Sequence, residues 1–339
     1  GMRKPLWPLD KALYGRIRSG RDWADLLEGT LQKHGYQRST SSRGLFFNKS
    51  LGVALCVYVD DIIFAGDAVQ AKDFFSTLEK SLKLKTNKDG SVYQECSRFL
   101  GVEYERKESE CANFDELHIS MHGYISKMIA DYERDRNVQI RARNTLPEEP
   151  TPGQGTSDRS RKIVGSLLWL ARCMRPDLCR LVNVLASNIT KWSPEFEDFE
   201  RALLGYILQT QDEKLVMKIH KDDSGKDLSF KVHSDANLQA PRSYSGCFSF
   251  LESQRGSFLP IGWISRKQAL AVTSSAAAEF IALSLSTEHS LPLCDTLTEI
   301  GVIARGTVPK VFCDNQAVLL GVGRSFSSYD RTIAKATAL

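Results

Sequence analysis

At 339 residues, with 42% hydrophobic and 25% charged side chains, the chain has globular proportions and too much length for one typical domain, so two or three are expected. Forty-five lysines and arginines against 41 acids leave a formal charge of +4, so bulk electrostatics do not mark a nucleic-acid binder and any such partner has to be argued from local sites. The eight cysteines form no C-x-x-C pair and no zinc-spaced cluster with histidine, which argues against a structural zinc and reads as reduced thiols of an intracellular protein, cytoplasmic or nuclear.

The chain opens on Gly1-Met2-Arg3-Lys4-Pro5 without a signal-peptide pattern and directly within a motif-bearing region, the expectation for a piece of something longer. Residues 21–34 predict a helix, because Trp23, Leu26, Leu27 and Leu31 recur at helical spacing. Two short apolar runs, 53–59 and 62–65, flank Asp60 and Asp61 and predict a tight hairpin with the acids at its tip. The apolar stretch 51–66 is too short to span a bilayer and has those acids at its middle, so no membrane is expected. A helix over 69–82 follows, with Phe74, Phe75, Leu78 and Leu82 on one side, then a strand over 99–104.

Residues 145–160 concentrate Pro, Gly, Ser and Thr without apolar periodicity, the composition of an exposed linker. Three amphipathic helices come next, marked by Ile163, Val164, Leu167, Leu168 and Ala171, by Leu178, Leu181, Val182 and Leu185, and by Phe196, Phe199, Leu203 and Tyr206. Pro176 and Pro194 fall where new helices start. Trp169, Trp192 and Tyr206 are assigned to the core of this region. From 228 the period turns strand-like, predicting strands over 228–233, 246–251 and 258–265. A helix over 275–290, capped by Ser274 or Ser275 and ended near Pro292, leads to a fourth strand over 308–313 and a last helix from 315. Three strands, helix, strand, helix is a mixed-sheet α/β pattern.

Adjacent carboxylates at a hairpin tip repel, so Asp60-Asp61 calls for a cation or for water. Magnesium, with manganese as its substitute, takes one or two carboxylates plus substrate phosphates, as nucleotidyl transfer requires; a solvated polar turn is the plain alternative. Asp235 at the end of the first late strand, Glu279 in the following helix and Asp314 after the fourth strand are a second candidate set, against the plain reading of turn and cap residues. His118 and His122 stand four apart, but no third ligand lies nearby and packing is the better reading. Arg242, Arg266, Lys267 and Gln268 border these strands as candidate contacts to nucleic-acid phosphates, with solvated turns as the alternative.

Tyr58-Val59-Asp60-Asp61-Ile62-Ile63 reproduces the signature turn of reverse transcriptases, and the surroundings resemble the Pol polyprotein of copia-type LTR retrotransposons. Leu9-Asp10-Lys11-Ala12-Leu13-Tyr14-Gly15 with Arg21 and Trp23, Phe99-Leu100-Gly101, Gly165-Ser166-Leu167-Leu168-Trp169-Leu170 and Arg175-Pro176-Asp177 resemble that family's blocks in order. His233-Ser234-Asp235-Ala236, Trp263-Ile264-Ser265-Arg266-Lys267-Gln268, Ala278-Glu279-Phe280-Ile281-Ala282-Leu283-Ser284 and Cys313-Asp314-Asn315-Gln316-Ala317 are similar to its ribonuclease H elements.

The resemblance implies a mixed α/β fold: a partial reverse transcriptase palm over 1–107, a mainly helical thumb or connection region over 108–225, and an RNase H-like mixed-sheet domain over 226–339. It implies metal-binding, catalytic roles for Asp60 and Asp61 and for Asp235, Glu279 and Asp314. Implied partners are an RNA template, RNA:DNA hybrid, deoxynucleotides and the remainder of the polyprotein. Departures from the family pattern are Arg16, Arg18 and Gly20 near the nucleotide pocket, Asn237 and Leu238 for Asp-Trp, Ala276-Ala277 for Thr-Glu, and Ile333-Ala334-Lys335-Ala336 where a final His and Asp stand, with Asp330 a weak substitute. Two readings stay open: an enzyme segment that copies RNA and cleaves hybrid RNA in the intact polyprotein, or an inactive remnant keeping fold and nucleic-acid binding. A host ribonuclease H with a fused adaptor is disfavoured, because the polymerase motifs come first.

The family's first metal-binding Asp lies upstream of the Leu-Tyr-Gly block, outside this sequence. Purified chain incubated with a primed RNA template, deoxynucleotides and magnesium is therefore expected to extend no primer; measurable extension refutes this.

Overall fold

The computed structural model describes residues 12–13, 15–87, 89–108 and 113–323, which fall into two units. One takes in the described residues up to Cys96 together with Asp295–Arg305, the other Ser97–Cys294 and the described residues from Gly306. The Leu9-Asp10-Lys11 and Tyr14 matches, Asp330 and the 331–336 tail lie outside the described residues.

In the first unit, helix α1 (Ser19–Lys33) buries Leu27 and Leu31, the inner part of its apolar stripe. Strands β1 (Gln37–Arg38), β2 (Leu45–Asn48), β3 (Val53–Tyr58) and β4 (Asp61–Ala65) form an antiparallel four-stranded sheet in chain order. Val53 and Leu55 alternate inward on β3 as a half-buried strand requires. Helix α2 (Ala68–Glu79) starts with a capping box: the Gln70 backbone N–H donates to the Asp67 carboxylate at 2.8 Å, and the Asp67 N–H donates to the Gln70 side-chain oxygen at 3.1 Å. Its Phe74 and Leu78 close the core with Leu31, Phe46 and Leu55.

The second unit begins with β5 (Arg98–Phe99) and β6 (Val102–Glu108). The stretch 99–104, expected as one strand, is a hairpin corner: Phe99 pairs Val102, and Leu100 and Gly101 take φ of 51° and 85°. Two positive φ values are what a two-residue turn between twisted strands demands, which explains Gly101. Strand β7 (Phe114–Ser120) and helices α3 (His122–Arg136), α4 (Arg161–Cys173), α5 (Cys179–Ser187) and α6 (Pro194–Gln209) follow, then β8 (Leu215–His220), β9 (Ser229–Asn237), β10 (Tyr244–Glu252) and β11 (Phe258–Lys267). Helix α7 (Ser275–Glu299), which belongs to this unit as far as Cys294, strand β12 (Lys310–Phe312) and helix α8 (Gln316–Gly323) complete it.

These strands form one eight-stranded sheet in the order β12-β9-β10-β11-β8-β7-β6-β5, with β12 parallel to β9. The expected run of three antiparallel strands, helix and fourth strand is present, in a mixed α/β fold. The sheet also crosses 107/108 and 225/226, where boundaries were expected. Hydrogen bonding of β7 to β8 makes a full ladder, and the seam from β8 to β11 is a single pair, Phe258 with Lys218. Nor are residues 145–160 a loose linker. Gly153 and Gly155 donate their N–H groups to Lys191 O and Trp192 O at 2.8 and 3.0 Å, and Ser157 donates to Ile189 O at 3.0 Å. A glycine-rich composition here serves close backbone approach to Trp192 rather than freedom.

Helix α7 runs through Pro292, where an end was expected. Pro292 has no N–H for the preceding turn, but Ser290 and Cys294 beside it are buried, and their packing keeps the helix going. Trp192 joins the core of the helical region and Tyr206 packs against it, whereas Trp169 is 36% exposed.

A methyl group at Gly205 of α6 would run into the carbonyl oxygen of Arg141. Gly205→Ala is expected to cost about 1–3 kcal/mol. Gly165→Ala, facing open space on α4, is expected to be neutral or to gain up to about 1 kcal/mol. Equal midpoints for the two variants in urea unfolding contradict this.

Candidate metal centre

In the first unit, pairing of Tyr58 with Asp61 leaves Val59 and Asp60 as the hairpin turn. Val59 takes φ 58°, a left-handed conformation that a β-branched residue adopts only under constraint. The constraint is visible: the Trp23 indole N–H on α1 donates to the Val59 carbonyl at 2.7 Å. Asp60 and Asp61 are exposed at the tip. Among the described residues, no third His, Cys, Asp or Glu completes a metal-ligating group around them. Trp23→Phe is expected to cost about 0.5–1.5 kcal/mol, the worth of one hydrogen bond, and to shift the backbone amide resonances of residues 59–61. Unchanged resonances would show that the indole does not hold the turn.

In the second unit, parallel pairing sets Phe312 beside His233. Asp314 and Asp235 lie two residues beyond that pair, so register alone brings them to the same end of neighbouring strands. Helix α7 brings Glu279 to that end, where its Oε1 accepts the Ala236 backbone N–H at 3.1 Å. Glu279 is 4% exposed, and its Oε2 has no hydrogen-bond partner. Burial, then the neighbouring charges of Asp235 and Asp314, push its carboxyl up to about 7, against the lowering effect of the Ala236 N–H.

Ligand atoms of Glu279, Cys313 and Asp314 all lie within 4.8 Å of one another. A buried carboxylate with one oxygen lacking a donor, grouped with Asp314 and Cys313 and close enough to Asp235 to be influenced by its charge, fits a divalent cation. Cys313 was not among the expected ligands; its only signal was adjacency to Asp314, and Cys313 faces the cluster because β12 ends just before it.

Gln268 is also in the interior, 4% exposed rather than presented to nucleic acid. Its amide donates to Ser245 Oγ at 2.9 Å and to Ala278 O at 2.8 Å, tying β10 to the first turn of α7 next to Glu279. Arg242 and Arg266 are exposed, and Lys267 is half-buried with its Nζ 5.7 Å from the Tyr244 ring centre. Arg180 of α5 stacks on that ring at 3.4 Å. Asn237, where the family pattern has Asp, accepts the Tyr244 N–H at 2.8 Å and so closes the end of β9. His118 and His122 do not share a helix: one is on β7 beside Glu116 at 2.9 Å, the other starts α3 beside Asp212 at 2.8 Å.

Residues 2–142 match the family model described as reverse transcriptase (RNA-dependent DNA polymerase). The chain is 31% identical to the Retrovirus-related Pol polyprotein from transposon RE1 of Arabidopsis thaliana, over 91% of this chain and 20% of that protein. It is 28% identical to the corresponding polyprotein from transposon RE2 of the same plant, again over 91% and 20%. Together these matches support a retrotransposon Pol fragment. The chain is also 26% identical to a putative transposon Ty5-1 protein of Saccharomyces cerevisiae, over 82% of this chain and 88% of that protein.

This Pol segment spans about a fifth of the length of its two Arabidopsis relatives. Its polymerase part is a segment of an RNA-directed DNA polymerase, a family that depends on divalent metal. Among its described residues, no helix is long and apolar enough to cross a membrane.

Because the folded carboxyl of Glu279 sits near 7 while an exposed glutamate titrates near 4.5, its contribution to stability is fully present below about pH 4.5 and is lost as pH rises through 7. Chelator-treated Pol segment is expected to melt at a higher temperature at pH 5 than the rest of its titration predicts, with Glu279→Gln removing that increment. A melting profile identical in the two proteins from pH 5 to 8 contradicts the assignment.

Proposed function

We propose that residues 226–339 act as a magnesium-dependent ribonuclease H on RNA:DNA hybrids, with Asp235, Glu279 and Asp314 holding the metal and manganese able to replace it. The observation that carries this reading is the unpartnered, buried Glu279 oxygen beside two acids brought level by parallel strand register. When bound, the metal supplies an activated water and charge stabilisation at the scissile phosphate. Glu279 is held in place by the Ala236 N–H, and Gln268 fixes the turn of α7 that carries it. Arg266 and Lys267 at the end of β11, and Arg242 in the loop before β10, contact hybrid phosphates and set register without reading sequence.

In the intact polyprotein, residues 1–107 contribute two metal-binding carboxylates, Asp60 and Asp61, to a palm that copies an RNA template with deoxynucleotides. Residues 108–225 connect that palm to the nuclease. One observation favours the second reading, a remnant that binds hybrid without turnover: among the described residues the ligand group holds only two acids, Glu279 and Asp314, beside Cys313, and Asp235 is not within it.

The test is cleavage of a labelled RNA strand in a hybrid, in magnesium. Wild-type chain is expected to cleave, and Glu279→Gln to lose at least 100-fold in rate, the scale on which metal-site residues act. Equal rates refute the site; hybrid binding without cleavage by wild type establishes the remnant.

A further inference from the structure

The sulfur in the cluster has no part in magnesium chemistry. Magnesium prefers an octahedron of oxygens, whereas a thiolate is a soft ligand that selects zinc and its heavier congener cadmium. Cys313 is in no disulfide, is half-buried, and has its Sγ within 4.8 Å of ligand oxygens of both Glu279 and Asp314. One thiolate, two carboxylates and an open position suit a four-coordinate zinc ion. The second, independent observation is Glu279 itself, a carboxylate 4% exposed that has one oxygen without a hydrogen-bond partner and supplies a ligand oxygen to this group. Peptide geometry limits the choice of ligand: Cys313 and Asp314 are consecutive residues just past the end of β12, and both reach the one helix carboxylate.

We propose that Glu279, Cys313 and Asp314 form a thiophilic divalent-cation site that binds zinc through the Cys313 sulfur. A metal–sulfur bond forms as the thiol proton leaves to solvent, with no change in oxidation state. Zinc and magnesium then contend for the same two carboxylates, and zinc, the stronger binder at a mixed sulfur and oxygen site, displaces magnesium. The inference deepens the nuclease reading by assigning the same site an inhibitory ion, and rests on that reading only for its consequence, not for the binding.

Cadmium titration of the metal-free chain, followed by the ultraviolet thiolate-to-metal absorption, tests the bond, and zinc affinity comes from competition with a chromophoric chelator. The tight phase of the absorption is expected in wild type and in Cys56→Ser, and is expected to be absent in Cys313→Ser. Zinc affinity is expected to fall about tenfold or more in Cys313→Ser and in Glu279→Gln, by analogy with the loss that outer-shell changes already cause.

Zinc is further expected to protect Cys313, but not the exposed Cys56, from alkylation in wild-type protein read by peptide mass, which needs no variant to fold. An unchanged absorption and affinity in Cys313→Ser, or alkylation of Cys313 at the same rate with and without zinc, overturns the site. Hybrid cleavage in magnesium by wild type is scored separately. Its absence alongside zinc protection sinks the nuclease reading and leaves the zinc site; its presence without protection does the reverse.

Discussion

A carboxylate removed from water has to be neutralised, by a proton or by a cation, and the arrangement of the second unit follows from how Glu279 meets that demand. Helix α7 could not bury this side chain against the sheet unless something answered its charge. One oxygen has the Ala236 N–H. The other has no hydrogen-bond partner, and the charges of Asp235 and Asp314 raise the affinity of the group for a proton instead of lowering it. Burial and the neighbouring acids thus make the group take a proton more readily than an exposed glutamate does, and a divalent ion at the proposed site would turn that mutual repulsion into attraction.

Much of the surrounding structure serves to hold that conflict in place. Parallel pairing of β12 with β9 makes Asp235 and Asp314 level, while antiparallel pairing of β9, β10 and β11 sets the end of β11 that bears Arg266 and Lys267 beside the start of β10, just after the loop that holds Arg242. Gln268, immobilised on Ser245 and the Ala278 carbonyl, sets the depth of α7. A side chain with two charged neighbours in sequence is thus buried because its amide satisfies a helix carbonyl and a strand hydroxyl at once. In the first unit a comparable burden falls on Trp23, whose indole N–H keeps Val59 in a conformation its side chain disfavours and so displays Asp60 and Asp61 at an exposed tip.

The two acidic sites were legible in sequence to different depths. Asp60-Asp61 and its hairpin follow from local pattern alone, since alternating apolar strands leave the two acids nowhere but the tip. Asp235, Glu279 and Asp314 were found through family resemblance and strand ends, and the structure adds the register that brings Asp314 level with Asp235. Cys313 was missed because sequence offers no reason for a thiol beside an acid to turn inward. Gln268 was placed on the surface because it follows Arg266 and Lys267, and alternation along a strand says nothing about what lies above it.

Sequence by itself determined the elements: amphipathic stripes, strand alternation and turn residues are local properties, and helices α4 to α6 and strands β9 to β11 stand where periodicity put them. It also determined which acids were candidates. Only the tertiary structure decided that residues 145–160 are tied to the backbone at 189–192, that α7 passes through Pro292, and that one sheet joins β5–β8 to β9–β12. In each case the deciding term is a non-local hydrogen bond or burial, which outweighs local propensity and leaves no trace in the periodicity of its own segment. The acids at the hairpin tip are therefore a fact of sequence, while the grouping of Glu279 with Cys313 and Asp314 is a fact of the fold.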